Sequence, residues 1–205
     1  GDSDVKSFAD VFDKELVVGA SAGGASTRDF ALLLKNVLGA KLKIVAGYPG
    51  TREINLAIEK GEVAGGCGQS WSSVASIYQN AFEEGRIKAL VQEDSTGYEA
   101  LNKKGVPLAR AFAKTQEQKQ ILDLVYSQTA FSRPYVVAME TPLARVAALR
   151  KAFMETMADK ELVAEAAKMK VDADPVSGQE LQKKVEAIYA TPPEIVEKAR
   201  KAMTP

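Results

Sequence analysis

The nine residues Gly19 to Thr27, reading Gly-Ala-Ser-Ala-Gly-Gly-Ala-Ser-Thr, constrain this chain more than any other stretch. They follow a short apolar run, Leu16-Val17-Val18, that reads as a buried strand. They precede Phe30, Leu33, Leu34, Val37 and Leu38, apolar positions three and four residues apart, which predict an amphipathic helix. Ser26 is the expected N-cap of that helix, with Asp29 three residues on as a shorter-armed relative of the capping box. A glycine-rich turn between a strand and a helix brings backbone N–H groups and the positive end of a helix dipole to one spot. Such a spot suits a carboxylate or a phosphate. The same residues would equally serve as a tight connection with no ligand. The turn is neither a Walker loop, whose Gly-Lys-Ser/Thr ending is absent, nor the dinucleotide fingerprint, whose third glycine is missing.

The strand, turn and helix pattern then recurs. Leu42, Ile44 and Val45 predict a second strand, and Gly47-Tyr48-Pro49-Gly50-Thr51 a turn whose Thr51 caps a helix carrying Ile54, Ala57 and Ile58. Val63 to Cys67 is a third apolar segment, running into Gln69-Ser70-Trp71-Ser72 and a helix to Phe82. Lys88 to Gln92 is a fourth expected strand. Strands and helices alternating at this spacing indicate βαβ units, an α/β fold and a mixed, mostly parallel sheet flanked by helices. Ligands of such open sheets sit beyond the carboxyl ends of the strands, where three of these turns lie.

Further along the chain, Thr115 and Gln118 form a capping box for a helix to about Tyr126. Arg133-Pro134 leads into Tyr135 to Ala138, read as a compact strand. Beyond it the pattern is helical throughout. Pro142 opens a helix with Val146, Leu149, Phe153 and Met157 on one stripe, and Asp159 caps the next. Ser177 with Glu180 and Thr191 with Glu194 are further capping boxes, the second with Pro192 at the first helical position. A boundary is placed near Thr129, giving an α/β part over 1–129 and a strand-plus-helix part over 130–205.

Several chemistries are poorly served by this composition. The chain has no histidine, so the commonest general base and the commonest transition-metal ligand are missing. Ser21, Ser26, Ser70 and Cys67 therefore lack an imidazole to activate them, and no Ser-x-x-Lys stands near the turns. Acidic residues are scattered along helix surfaces, so neither a metal nor another cofactor is expected. Lys plus Arg equals Asp plus Glu at 27 each, which leaves no net field to recruit nucleic acid. Tyr48 and Trp71 stand directly beside turns at strand ends, either as packing over the sheet edge or as ligand contacts.

Read in order, the Gly19–Thr27 turn, then Val45-Ala46-Gly47-Tyr48-Pro49-Gly50-Thr51, then Ile54-Asn55-Leu56-Ala57-Ile58-Glu59-Lys60-Gly61-Glu62-Val63, carry a family signal. Together with Gly85 to Val91, Gly105-Val106-Pro107 and the passage from Tyr135 to Leu149, they resemble the extracytoplasmic solute receptors of the tripartite tricarboxylate transporter family. The resemblance runs from Leu16 onward. It implies a periplasmic-binding-protein-like lobe that closes on a small organic acid, with no enzymatic activity, and transporter subunits as membrane partners. Ser21, Gly23, Gly24, Ala25, Ser26 and Thr27 would form one wall of the site, Tyr48, Gly50 and Thr51 a second, with Ser70 and Trp71 nearby. Gly66-Cys67-Gly68-Gln69-Ser70-Trp71-Ser72 departs from the family pattern, so the acid need not be a tricarboxylate. The resemblance further implies a periplasmic location, 1–129 as the second lobe, 130–205 as the return to the first, and a first lobe that begins before this chain. Val136, Leu149 and Phe153 would then lose cover, and self-association is expected. Two alternatives stand beside this reading: an enzyme acting on an acyl or phosphate substrate at the same turn, and a sensor domain without a transport role.

Overall fold

Three strands, β1 (Leu16–Ala20), β2 (Leu42–Ala46) and β3 (Gly65–Gly66), form a parallel sheet of order β2-β1-β3 in the computed structural model. It describes residues 3–131, 133–169 and 173–205. Helix α1 (Ser26–Asn36) connects β1 to β2, and α2 (Thr51–Glu59) connects β2 to β3. Side chains alternate across β1 because a strand repeats every two residues. Leu16 and Val18 enter a core shared with Phe30, Leu33 and Leu34 of α1. Gly19 faces the other way, where an added Cβ would stand 3.0 Å from Ile54 Cγ2 of α2. The two helices thus cover opposite faces of the sheet, as same-handed crossovers running in opposite directions require.

The remaining helices are α3 (Trp71–Glu83), α4 (Glu99–Lys103), α5 (Gln116–Tyr126), α6 (Leu143–Met157), α7 (Lys160–Met169), α8 (Gly178–Tyr189) and α9 (Pro193–Ala202). The capping boxes at Thr115 and Ser177 form as the sequence predicts, with Gln118 N–H and Glu180 N–H donating to the cap hydroxyls. Asp159 likewise accepts from the N–H groups of Glu161 and Leu162, both at 3.0 Å. Thr191 does not cap. Pro192 takes the N-cap position and Pro193 the first helical one, a shift of one residue toward the C-terminus.

Two expected strands are absent. Lys88 to Gln92 joins no sheet and makes a single parallel bridge, Gln92 to Leu108. The reason lies in Gln92, which is buried. Its amide donates to Asn102 Oδ1 and to the Val106 carbonyl, both at 2.8 Å, and accepts from Tyr98 N–H at 2.8 Å. The segment is spent on anchoring the following loop. Tyr135 to Ala138 runs without any ladder, its side chains turned to solvent. The third strand is shorter than expected, with only Gly65 and Gly66 pairing to Val18 and Gly19.

Residues up to Ser127 together with Thr191–Pro205 form one compact unit, and Gln128–Ala190 forms the other. In the first, α9 returns to bury Ile195 and Ala199 with Ile121, Leu122 and Val125 of α5. Each of the Ile, Leu and Val side chains so buried contributes about 1.5–3 kcal/mol, and the Ala199 methyl less. Lys198 Nζ pairs with Glu117 across that contact, and Asn36 Nδ2 donates to the Ala202 carbonyl at 2.8 Å.

The second unit is thinly packed. Ala166 is the one buried residue among its described positions. Tyr135, Val136, Met139 and Leu143 are 86%, 84%, 94% and 87% exposed, and Leu149 is exposed as well. Phe153 is half-buried against the Tyr135 ring, 5.5 Å between centroids. Uncovered apolar side chains at this density usually find a partner. The chain is expected to self-associate at micromolar concentration. Sedimentation velocity should show a mass that rises with concentration and falls back when Val136 and Met139 are replaced by serine. A monomer at every concentration is the opposing result.

Candidate functional site

The order in which strands are added reverses at the centre of the sheet. The connection from β1 runs to one side, and the connection from β2 crosses to the other, so the topological switch lies between β1 and β3. In open parallel sheets a crevice forms outside the carboxyl ends of such a pair. Here the two turns at that point are Ser21–Ala25 after β1 and Cys67–Ser70 after β3. They touch directly. Ser26 Oγ donates to the Gly68 carbonyl at 2.8 Å. Gly68 has φ +62°, and a Cβ on it would stand 2.3 Å from Ser26 C and O. Only glycine fits so close to another backbone in that conformation.

The Gly19–Thr27 turn is held from within. Ser21 and Thr27 are both buried. Thr27 Oγ1 accepts from the Ser21 N–H at 3.1 Å and shares a hydrogen with Ser21 Oγ at 2.6 Å. Their hydroxyls therefore brace the turn and do not line its open side. Ser26 is the first helical residue and Ala25 the N-cap, because the Ser26 hydroxyl is committed to Gly68 and cannot turn back to its own helix. Gly23 and Gly24 are exposed, and Gly24 has φ +84°. The Gly24 N–H donates to Asp29 Oδ1 at 3.3 Å, long for a bond to a carboxylate.

On the other side of β1, the Gly47 and Tyr48 N–H groups donate to the Ala20 carbonyl at 3.1 and 3.2 Å. The Tyr48 ring lies over Gly19, 3.2 Å from where a Cβ would stand. Gly50 is the N-cap of α2 and Thr51 its first residue, a correction to the expected Thr51 cap. Ser70 is the N-cap of α3, with its hydroxyl 3.0 Å from Ser72 Oγ. Trp71 turns away from these turns. Its ring packs edge-on to Phe82, 5.2 Å between centroids, and lines a separate cavity. The fold thus joins the Ser21–Thr27 and Cys67–Ser70 turns, sets Tyr48–Thr51 along the same edge, and sends Trp71 elsewhere.

Two residues at this site are missed by sequence reasoning. Arg28 follows the helix start, and its Nη1 stands 2.5 Å from the position of a Cβ on Gly23. Its guanidinium therefore lies across the exposed turn. Among the described residues no acceptor engages the N–H groups of Ala22 and Gly23 beside it. A cation within the first helical turn of a glycine loop is the signal that could have exposed it.

Glu93 is the second. Its Oε2 accepts from the Gly68 N–H at 2.6 Å, while Oε1 is buried with no hydrogen-bond partner among the described residues. Desolvation pushes its pKa up to about 7, against the opposing pull of the Gly68 N–H and the Cys67 thiol. Burial, and then the Glu93 charge, raise the Cys67 thiol and the Tyr126 phenol well above their ordinary values. The thiol is therefore protonated at neutral pH and is no nucleophile. Ser26 holds the Gly68 turn from the side and Glu93 holds it from beneath. An acid two residues past the apolar run Ala89-Leu90-Val91 is the readable sign.

Among the described residues no group of three or more Cys, Asp or Glu side chains could hold a metal ion. No described helix is long and apolar enough to cross a membrane. No family model matches the chain, and no curated protein or solved structure is significantly similar to it.

Proposed function

We propose that this chain is the binding lobe of an extracytoplasmic solute receptor, of the kind that serves tripartite tricarboxylate transporters, and that it captures a small organic carboxylate without turnover. The observation that carries the reading is the open rim of the Ala22–Gly24 turn. There two backbone N–H groups without acceptors among the described residues and the Arg28 guanidinium stand together at the positive end of α1, at the switch point of a parallel sheet. A carboxylate would take bidentate hydrogen bonds from Arg28 and accept from the turn. The Ser21–Thr27 pair and the Ser26–Gly68 bond would keep that turn rigid, which limits the entropy lost on binding. Such a receptor would act in the periplasm beside membrane transporter subunits, on a periplasmic-binding-protein-like fold.

Calorimetry of the whole chain with succinate and citrate tests this. Arg28→Ala should weaken binding by about tenfold or more, since a hydrogen bond to a charged group contributes about 1.5–3 kcal/mol. Gly24→Val should weaken it further than Ser26→Ala, because Gly24 projects into open space whereas the Ser26 hydroxyl is already engaged. Absence of binding heat, or equal losses from Gly24→Val and Ser26→Ala, would overturn the reading.

A further inference from the structure

The first unit contains a cavity of about 450 Å³ that shares no residue with the Ser21–Thr27 or Tyr48–Thr51 turns. Its volume falls within the range of about 300–1,000 Å³ typical of small-molecule sites. Its walls are mostly apolar and include the rings of Phe8, Trp71, Phe82 and Phe112. Trp71 and Phe82 come from the two ends of α3, Leu101 from α4, and Phe112 from the chain before α5. Trp71, Phe82 and Phe112 are only half-buried and line the opening. Phe112 packs edge-on against Phe8, 4.8 Å between ring centroids, so that wall is preformed.

The rim has one sign of charge. Lys6, Lys88 and Lys104 are exposed around the opening, and none of the residues lining it is acidic. Among the described residues neither Lys88 nor Lys104 pairs with a carboxylate. An apolar well under a ring of ammonium groups matches one ligand chemistry. The well takes a hydrocarbon or aromatic body, and the rim takes a single anionic head. The small, wholly polar acids suited to the Arg28 turn would leave this well unfilled.

We propose that this cavity binds an amphipathic monoanion, a medium-chain or aryl-bearing carboxylate, with its apolar body against Trp71 and Phe82 and its head among Lys88 and Lys104. This site goes beyond the carboxylate reading of the switch-point turn and does not depend on it. Trp71 is the only tryptophan in the chain, so its emission reports on the site directly.

The test titrates the whole chain with octanoate, following Trp71 emission and, separately, binding heat. Octanol and octylammonium serve as chain-matched neutral and cationic controls. A saturable change with octanoate, at least tenfold weaker with octanol and absent with octylammonium, is the expected result. Lys88→Glu with Lys104→Glu should weaken octanoate by about tenfold or more while leaving the far-ultraviolet circular dichroism unchanged, because both side chains are solvent-exposed. Gly24→Val should leave octanoate binding intact and saturating citrate should not displace it, which separates this site from the switch-point turn. No saturable response to octanoate would overturn the proposal. So would equal responses to all three amphiphiles, or a double lysine variant that binds as the parent does.

Discussion

Gly68→Ala is expected to destabilise the first unit by about 2–5 kcal/mol. Two separate costs add. A non-glycine residue at φ +62° pays about 1–2 kcal/mol for the left-handed conformation. The new methyl would also lie 2.3 Å from Ser26 C and O and 2.8 Å from Thr27 N, and these are backbone atoms that no rotamer change can move. Overpacking of this kind costs about 1–3 kcal/mol. Gly24→Ala isolates the first of these costs. Gly24 has φ +84° but nothing within 4 Å of its Cβ position, so only the conformational cost applies there. Urea denaturation followed by Trp71 emission should place Gly68→Ala well below Gly24→Ala. Equal midpoints would show that the Cys67–Ser70 turn yields freely and does not brace α1.

Glu93→Gln should raise stability by about 3 kcal/mol at pH 8 and change it little at pH 4. The folded chain holds the Glu93 proton up to about pH 7, whereas an unfolded chain releases it near 4.5. A raised acid pKa gives stability that is complete below the unfolded value and is lost as pH rises to the folded one. Two to three pKa units at about 1.4 kcal/mol each give the stated size. Among the described residues no cation offsets the charge, and the groups facing it are the Gly68 N–H, the Cys67 thiol and the Tyr126 phenol. Glutamine keeps an acceptor for the Gly68 N–H and carries no charge to bury. Urea midpoints at pH 4 and pH 8 provide the check. The parent should lose stability between those values through this group and the variant should not. A pH-independent difference between the two proteins would refute the account.

Helix starts were legible where local chemistry suffices. Thr115, Asp159 and Ser177 cap as read, because a side chain and the N–H groups within the next three residues meet whatever the rest of the chain does. Ser26 and Thr191 were misread for different reasons. Ser26 found a stronger claim on its hydroxyl from Gly68, forty-two residues on, and Pro192-Pro193 set the start of α9 by backbone geometry alone. Strand readings failed where a partner was needed. Lys88–Gln92 and Tyr135–Ala138 have strand composition, yet a strand exists only beside another.

By itself the sequence determined the α/β alternation through Glu83, the parallel pairing that short βαβ connections enforce, and the placing of glycine turns at the strand ends. These are consequences of periodicity and turn chemistry within some thirty residues. Only tertiary structure decided which turns meet. Strand order places β3 beside β1 on the side away from β2, and no local signal encodes that order. From it follow the Gly68 contact, the burial of Glu93 against it and the turning of Trp71 into a different cavity. Each depends on contacts between residues far apart in the chain, where packing and desolvation, not local propensity, set the energy.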